Sequence, residues 1–257
     1  MRRRCVDDLE RPAIVFAPHP DDETLGCGGT IVRKLAQGAR VEVIYLTDGS
    51  GSHDLIPANE LAAIRRAEAL KACGVLGLDD RQVRFLDLKD GHLAEQEAEG
   101  LTRVGAVLRE SAAEEVFVTH RQEPSPDHAA ANHIVRRAVR KIGRPMMVWE
   151  YPIWCWNSWP WIGLSKGSWR HPWAVAKAVG RGMPSLSLLT GCNSAVDVGQ
   201  QLEVKRAALA QHRTQVTRYN GDPGWGVLGD FAEGRFLEML FQPYEPFFRY
   251  GAIQDRD

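Results

Sequence analysis

The sequence lacks two features that mark whole classes of proteins. Its 257 residues contain only five cysteines, which are widely separated and include no Cys-x-x-Cys pair. This argues against a disulfide framework and against a zinc site built from thiolates. A charge excess is also missing, because 32 basic residues face 33 acidic ones and leave a formal net charge of -1. Such a balance gives no electrostatic case for binding nucleic acid.

Long apolar runs are missing as well. The basic cluster at residues 2–4 is followed by polar residues instead of an apolar segment, so we expect no secretory signal and a cytoplasmic protein. The tryptophan-rich stretch from Trp149 to Trp173 is interrupted by Pro152, Pro160 and Pro172. It is too short and too polar for a membrane span.

Three interpretations of this tryptophan-rich stretch remain open. It forms an aromatic unit that packs on the core, or a wall of a substrate pocket whose rings stack on sugar faces. The third interpretation is peripheral contact with a membrane that carries a lipid-linked substrate, because Trp and Tyr favour the membrane interface.

Apolar runs of strand length alternate with helical periodicity along most of the chain. The predicted strands are Ala13–Ala17, Arg40–Thr47, Val83–Leu88, Glu115–Thr119 and Met146–Tyr151. The predicted helices cover Gly26–Gln37, Ala58–Cys73, Gly100–Ala112, residues 127–143 and Gln201–His212. This alternation predicts an α/β fold with a Rossmann-like, doubly wound, mostly parallel sheet and a Trp-rich C-terminal extension. We expect a single domain over residues 1–257, with a catalytic core at 1–145 and an aromatic-rich extension at 146–257 that packs on it.

The strongest chemical signature follows the first predicted strand. The segment His19-Pro20-Asp21-Asp22-Glu23 comes directly after that strand and precedes a glycine-rich turn at residues 26–29. Three carboxylates beside one imidazole repel one another unless a cation lies among them, which indicates a divalent metal. The alternative is an acidic loop that caps the next helix. The preceding strand and the following glycines favour a metal-binding active site over a helix cap.

Other polar residues follow the later strands and are expected to reach the same edge of the sheet, where ligands of such folds bind. Asp90 follows the third strand, His120 follows the fourth, and His128 lies in the first turn of the next helix. Two nitrogens and one oxygen leave an open position for water on Zn²⁺, or on another divalent transition metal. His19, Asp22 and His128 supply that set, and Asp21 is placed to take a proton from the water.

Several segments carry a resemblance to a known family. They are Ala17-Pro18-His19-Pro20-Asp21-Asp22-Glu23, Gly28-Gly29-Thr30, Arg65-Arg66-Ala67-Glu68, Ser125-Pro126-Asp127-His128 and, more weakly, 205–212 with Gln215. Through them the sequence resembles the LmbE/PIG-L family of zinc-dependent N-deacetylases. The resemblance implies His19, Asp22 and His128 as zinc ligands and Asp21 as general base. It implies an N-acetylglucosamine-type substrate that is free, lipid-linked or part of a glycoconjugate.

The same resemblance extends to substrate contacts. Arg65 matches an arginine that touches the sugar, and Asp90 matches a sugar-binding acid. Relatives commonly carry a histidine, which donates to the oxyanion, where this chain has Ser125. Losing such a donor costs on the order of 100-fold in rate. The sequence leaves open whether His120 or His212 takes its place or whether activity is low.

Three functional hypotheses follow. The leading one is a zinc-dependent hydrolase that removes the acetyl group of an amino sugar by metal-activated water. The second is a degenerate family member without turnover. The third is a nucleotide-sugar binding protein that uses the glycine-rich turn, although Gly26-Cys27-Gly28-Gly29 lacks the spacing of a dinucleotide fingerprint.

Overall fold

The computed structural model describes residues 4–157 and 191–251. The strands are β1 (Arg4–Cys5), β2 (Ala13–Ala17), β3 (Val41–Thr47), β4 (Val83–Leu88), β5 (Glu115–Thr119), β6 (Met147–Tyr151), β7 (Ser194–Asp197) and β8 (Tyr244–Tyr250). The α-helices are α1 (Asp22–Ala36), α2 (Ala58–Leu76), α3 (Glu97–Glu110), α4 (Pro126–Ile142), α5 (Leu202–Leu209), α6 (Arg213–Val216) and α7 (Arg235–Leu240). Among these residues, no helix is both long and apolar enough to cross a bilayer.

The strands form one 8-stranded sheet in the order β1-β7-β8-β6-β5-β2-β3-β4. The five strands from β6 to β4 pair in parallel, whereas β8 is antiparallel to both β6 and β7. The prediction of a mostly parallel, doubly wound α/β sheet is therefore confirmed. The carboxyl ends of β2, β3, β4 and β5 consequently meet at one edge, where ligands of such sheets bind.

Both faces of the sheet are covered, which explains why β2 is apolar at every position. Val15 packs in a cluster with residues of α1, α2 and α5. Ile14 and Phe16 point to the opposite face and pack with residues of α3 and α4. A strand that is buried on both faces reads as a continuous apolar run rather than an alternating one.

The five predicted strands are confirmed to within one residue, but the ends of the helices differ more from the prediction. Helix α3 begins at Glu97 instead of Gly100. Helix α1 begins at Asp22 instead of Gly26, so Asp22 and Glu23 form its first turn. Helix α2 continues through Gly74, which was predicted to end it, and stops at Gly77 with a φ of 97°. One glycine inside a helix costs only about 1 kcal/mol, and burial of Leu76 beyond it offsets that cost.

The C-terminal part contributes two strands that the sequence did not predict, since β7 and β8 continue the sheet beyond β6. The helix predicted over Gln201–His212 is divided into α5 and α6, and His212 lies between them. Of the tryptophan-rich stretch, Trp149 lies in β6 and Trp154–Trp156 form a 3₁₀ turn. Its residues from 158 onwards lie outside the described part of the chain, and the division into core and extension stays a prediction.

Candidate active site

A cavity of about 510 Å³ opens at the carboxyl ends of the parallel strands. We call it the catalytic cavity. Six of the predicted site residues line it: His19, Asp21, Asp22, Arg65, Asp90 and Ser125. His128 is completely buried next to it, at the start of α4. The fold thus assembles residues that are more than 100 positions apart in the chain.

Three side chains are arranged as ligands of one metal ion. Nδ1 of His19 and Nε2 of His128 each lie 3.2 Å from the same oxygen, Oδ2 of Asp22. Zinc ligands about 2.0–2.1 Å from the ion in a tetrahedron lie roughly 3.3 Å from one another. The two observed distances match that value, and all three donor atoms lie within 4.8 Å of one another, so the group could hold one ion.

The electrostatics of this group also fit a cation. Nε2 of His128 is buried and makes no hydrogen bond within the described part of the chain, although it faces a carboxylate. Burial lowers the pKa of His128, but Asp22 and Glu123 outweigh burial and raise it to about 9. A bound divalent ion would satisfy the orphaned nitrogen and the surplus of carboxylates together.

Carboxylates on the far side of each imidazole fix its orientation. Nε2 of His19 lies 3.0 Å from Asp90 and 3.4 Å from Asp127, which leaves Nδ1 to face the metal position. Nδ1 of His128 lies 3.3 Å from Glu123. Partners of this kind set the ring tautomer and strengthen the ligand. Sequence reasoning had given neither Asp127 nor Glu123 a role, and only Asp127 carried a signal, as the neighbour of His128.

Asp21 faces the cavity from a strained backbone. Its φ of 132° is rarely adopted by any residue except glycine. Its N–H donates to Oε2 of Glu23 at 3.1 Å, and its carboxylate lies 3.4 Å from Arg65. Burial raises the pKa of the Asp21 carboxyl to about 7, although Arg65 opposes the shift. A carboxylate with these properties is suited to exchanging protons.

Glu23 supports this backbone from below the cavity. It is fully buried, and its Oε1 lies 3.0 Å from Nε2 of His212. Burial alone would raise the pKa of Glu23, but His212 and Thr24 hold it below its usual value. Glu23 therefore braces the backbone of Asp21 through one carboxylate oxygen and pairs with His212 through the other.

Arg65 joins the two loops at the edge of the sheet. From α2 it donates to the carbonyl oxygen of Gly49 at 2.9 Å and to that of Pro20 at 2.5 Å. Its Nε is buried and makes no hydrogen bond to any described residue. Arg65 thus holds the loop that carries Asp21, and its Nε remains available to donate a hydrogen bond to a ligand.

Ser125 and His120 have different positions relative to the cavity. Ser125 lines it from the residue that precedes α4, and its side chain makes no capping hydrogen bond. His120 follows β5 as expected, but its Nδ1 lies 2.9 Å from Glu150 and its ring stacks on Phe248. Because the imidazole is paired with Glu150 of β6, His120 is not among the residues that line the cavity.

The helix that presents Asp22 is broken at Cys27, whose φ is -147°. The break leaves the N–H groups of Gly29 and Thr30 without partners inside the helix. Glu245 accepts from both of them, at 2.9 and 2.8 Å. Lys205 donates to the carbonyl oxygen of Leu25 at 3.0 Å and to Glu245 at 2.7 Å. A buried ion pair thus satisfies both sides of the break. It fixes the first turn of α1, which carries Asp22.

Comparisons with known proteins place most of the chain among N-deacetylase relatives. Residues 14–139 match the PIG-L family model, described as GlcNAc-PI de-N-acetylase. The 1D-myo-inositol 2-acetamido-2-deoxy-alpha-D-glucopyranoside deacetylase of Segniliparus rotundus is 28% identical in an alignment that covers 82% of this chain and 78% of the relative. The protein of the same name from Rhodococcus opacus is 28% identical in an alignment that covers 96% of this chain and 94% of the relative.

A solved structure shows the same fold. The N,N'-diacetylchitobiose deacetylase of Pyrococcus horikoshii superimposes with a TM-score of 0.66 at 21% identity, covering 93% of this chain and 84% of that one. At this level of identity, the likeness concerns the fold alone.

Proposed function

Because residues 14–139 match the PIG-L family of de-N-acetylases, we propose that this chain removes the acetyl group from an N-acetylglucosamine-type sugar with the help of a bound divalent metal. Zinc is the ion that best suits two imidazoles and one carboxylate. The observation that carries the proposal is the Asp22 oxygen that lies 3.2 Å from both His19 and His128.

The residues around this group have separate tasks. When bound, zinc lowers the pKa of water and polarises the amide carbonyl. Asp21 takes a proton from the water as the water oxygen adds to the carbonyl carbon. Asp21 then gives this proton to the amide nitrogen as the C–N bond breaks, which releases acetate and the free amine. Arg65 keeps Asp21 in place through the contact at 3.4 Å.

The walls of the catalytic cavity supply the proposed contacts to the sugar. Arg65 has an unpartnered buried Nε, and Asp90 has a carboxylate 3.0 Å from His19, beside the reacting amide. Hydroxyl groups of a sugar can both accept from the guanidinium and donate to the carboxylate. Ser125 faces the same space from the start of α4.

Acetate release from N-acetylglucosamine in free, lipid-linked and nucleotide-linked form tests the proposal, with mass spectrometry to detect the lost acetyl group. Asp21→Asn should abolish release from whichever substrate is turned over. Asp48→Asn is the matched control, because Asp48 follows β3 at the same edge but does not line the cavity. No release from any substrate, or an undiminished rate for Asp21→Asn, would contradict the proposal.

The alternative of a nucleotide-sugar binder relied on the glycines at 26–29. These glycines lie inside α1, and a Cβ at Gly26 would be 2.1 Å from the ring of Tyr151. A Cβ at Gly29 would be 2.6 Å from Val198. The glycines therefore allow close packing of the helix against its neighbours. Their presence is explained without a phosphate-binding turn.

A further inference from the structure

Large apolar side chains are exposed at the mouth of the catalytic cavity. Among the residues that the structure describes, three large hydrophobic side chains are exposed: Leu55 at 51%, Phe231 at 40% and Tyr244 at 52%. Leu55 and Phe231 both line the cavity, although they are 176 positions apart in the chain. Apolar side chains that gather at a cavity indicate a binding surface more strongly than scattered ones do.

These two residues belong to a larger apolar surface. We use the name apolar rim for Leu55, Trp154, Val227, Leu228 and Phe231, all of which line the cavity. The Trp154 ring meets Phe231 edge to face at 4.9 Å and stacks on Phe236 at 4.8 Å. The rim thus combines side chains from three separate segments of the chain.

Two of these three segments, the one that carries Leu55 and the one that carries Phe231, are held together. The His53 ring stacks on Trp225 with centroids 3.8 Å apart, and its Nε2 lies 2.8 Å from the carbonyl oxygen of Gly226. Trp225 is buried and donates to the carbonyl oxygen of Thr214 at 2.7 Å. Leu55 and Phe231 are therefore presented by anchored segments, which lowers the entropy cost of binding a ligand there.

The charges of the cavity disfavour an anionic ligand. Among the described residues that line it, the carboxylates are Asp21, Asp22, Asp54, Asp90 and Asp230. Among the described lining residues, Arg65 is the only lysine or arginine, and Asp230 is paired with Arg218 at 2.7 Å. Arg65 and a divalent metal would still leave the cavity without a surplus of positive charge to hold a phosphate.

We propose that the substrate is a neutral glycoside whose aglycone is an alkyl or aryl group, and that this group lies on the apolar rim. The inference rests on the proposed function. The scissile amide has to reach His19 and Asp22 at the buried end of the cavity, whereas Leu55 and Phe231 are exposed at its mouth. The part of the substrate that points outwards therefore meets apolar side chains, and each buried methylene group strengthens binding.

The test compares kcat/KM for octyl 2-acetamido-2-deoxy-β-D-glucopyranoside, used below its micelle concentration, with kcat/KM for free N-acetylglucosamine. We expect the octyl glycoside to be favoured by about 10-fold or more, because burying a few methylene groups suffices for that ratio. Phe231→Ala and Leu55→Ala should each reduce the ratio. Tyr244→Ala is the matched control, since Tyr244 is equally exposed but does not line the cavity, and it should leave the ratio unchanged.

Three outcomes would overturn the inference. The first is an equal kcat/KM for the two substrates, and the second is a ratio that neither rim variant changes. The third is a preference for N-butanoyl over N-acetyl glucosamine, or for a nucleotide-linked sugar, because either would assign the mouth of the cavity to another group.

Failure of the proposed function has a different signature. In that case no substrate releases acetate, and binding then tests the rim. Calorimetry with the octyl glycoside and the Asp21→Asn protein should give a Kd that the additional Phe231→Ala change weakens several-fold. An unchanged Kd would overturn the inference.

Discussion

Glu123 joins His128, one of the three proposed metal ligands, to the wall of the catalytic cavity. Its Oε2 lies 3.3 Å from Nδ1 of His128 and accepts from the N–H of Trp154 at 2.7 Å. Its Oε1 accepts from the N–H groups of Ile153 and Cys155 at 2.9 and 3.3 Å. One buried carboxylate therefore orients His128 and holds the turn that carries the Trp154 ring.

Glu123→Gln should weaken metal binding by about 10-fold to 100-fold, because an amide is a poorer acceptor for the far nitrogen of a ligating imidazole. Competition with a chromophoric chelator measures the change. Glu110→Gln removes an exposed carboxylate from α3 and should bind metal as the unaltered protein does. Equal affinities for both variants would show that Glu123 supports only the turn.

The two glycines Gly29 and Gly74 should respond oppositely to alanine. A Cβ at Gly29 would lie 2.6 Å from the branched side chain of Val198, so Gly29→Ala should destabilise the protein by about 1–3 kcal/mol through overpacking. A Cβ at Gly74, inside α2, meets nothing within 4 Å among the atoms around it. Gly74→Ala should stabilise by about 0.5–1 kcal/mol. Urea denaturation of both variants checks the signs, and a stabilising Gly29→Ala would refute the packing role.

Lys205→Met should lower the free energy of unfolding by about 3–5 kcal/mol, because it leaves Glu245 buried without its cation and the carbonyl oxygen of Leu25 without its donor. Lys71→Met serves as the control, since Lys71 is exposed on α2. Denaturation curves compare the two. A loss below about 1 kcal/mol for Lys205→Met would mean that the break in α1 does not depend on this ion pair.

Ser125→His should raise kcat by about 10-fold, because an imidazole at the start of α4 would add a hydrogen-bond donor to the developing oxyanion. Ser125 already lines the cavity and makes no capping hydrogen bond that the change would remove. Steady-state rates for the variant, with Ser125→Ala beside it, measure the effect. If the histidine leaves kcat unchanged, the existing site needs no further donor.

The sequence predicted those parts of the fold that depend on local pattern. The strands β2, β3, β5 and β6 are mostly apolar and almost entirely buried, as a doubly wound sheet requires, so their positions followed from the local sequence pattern. β7 spans only four residues, and β8 contains Pro246 and Arg249, so neither has the pattern of a strand. Their pairing depends on contacts between distant segments, which a local pattern does not record.

The clustering of His19, Asp22 and His128 was predictable because these residues follow a strand or begin a helix. His19 and Asp22 share one segment, and the parallel sheet brings His128 beside them. Glu123 was not predictable, because its role depends on β6 ending where the next turn offers three N–H groups. His120 had the expected position along the chain, but Glu150 on the neighbouring strand turns it away from the cavity.

Removal and return of the metal tests the central claim most directly. Protein treated with a chelator, and then given one equivalent of zinc, should regain both its bound metal and acetate release from an N-acetylglucosamine glycoside. His128→Ala should regain neither, since it lacks one of the three ligands. Metal analysis and acetate assay on the same samples should give about one zinc per active chain. Full acetate release by the metal-free protein would contradict the account.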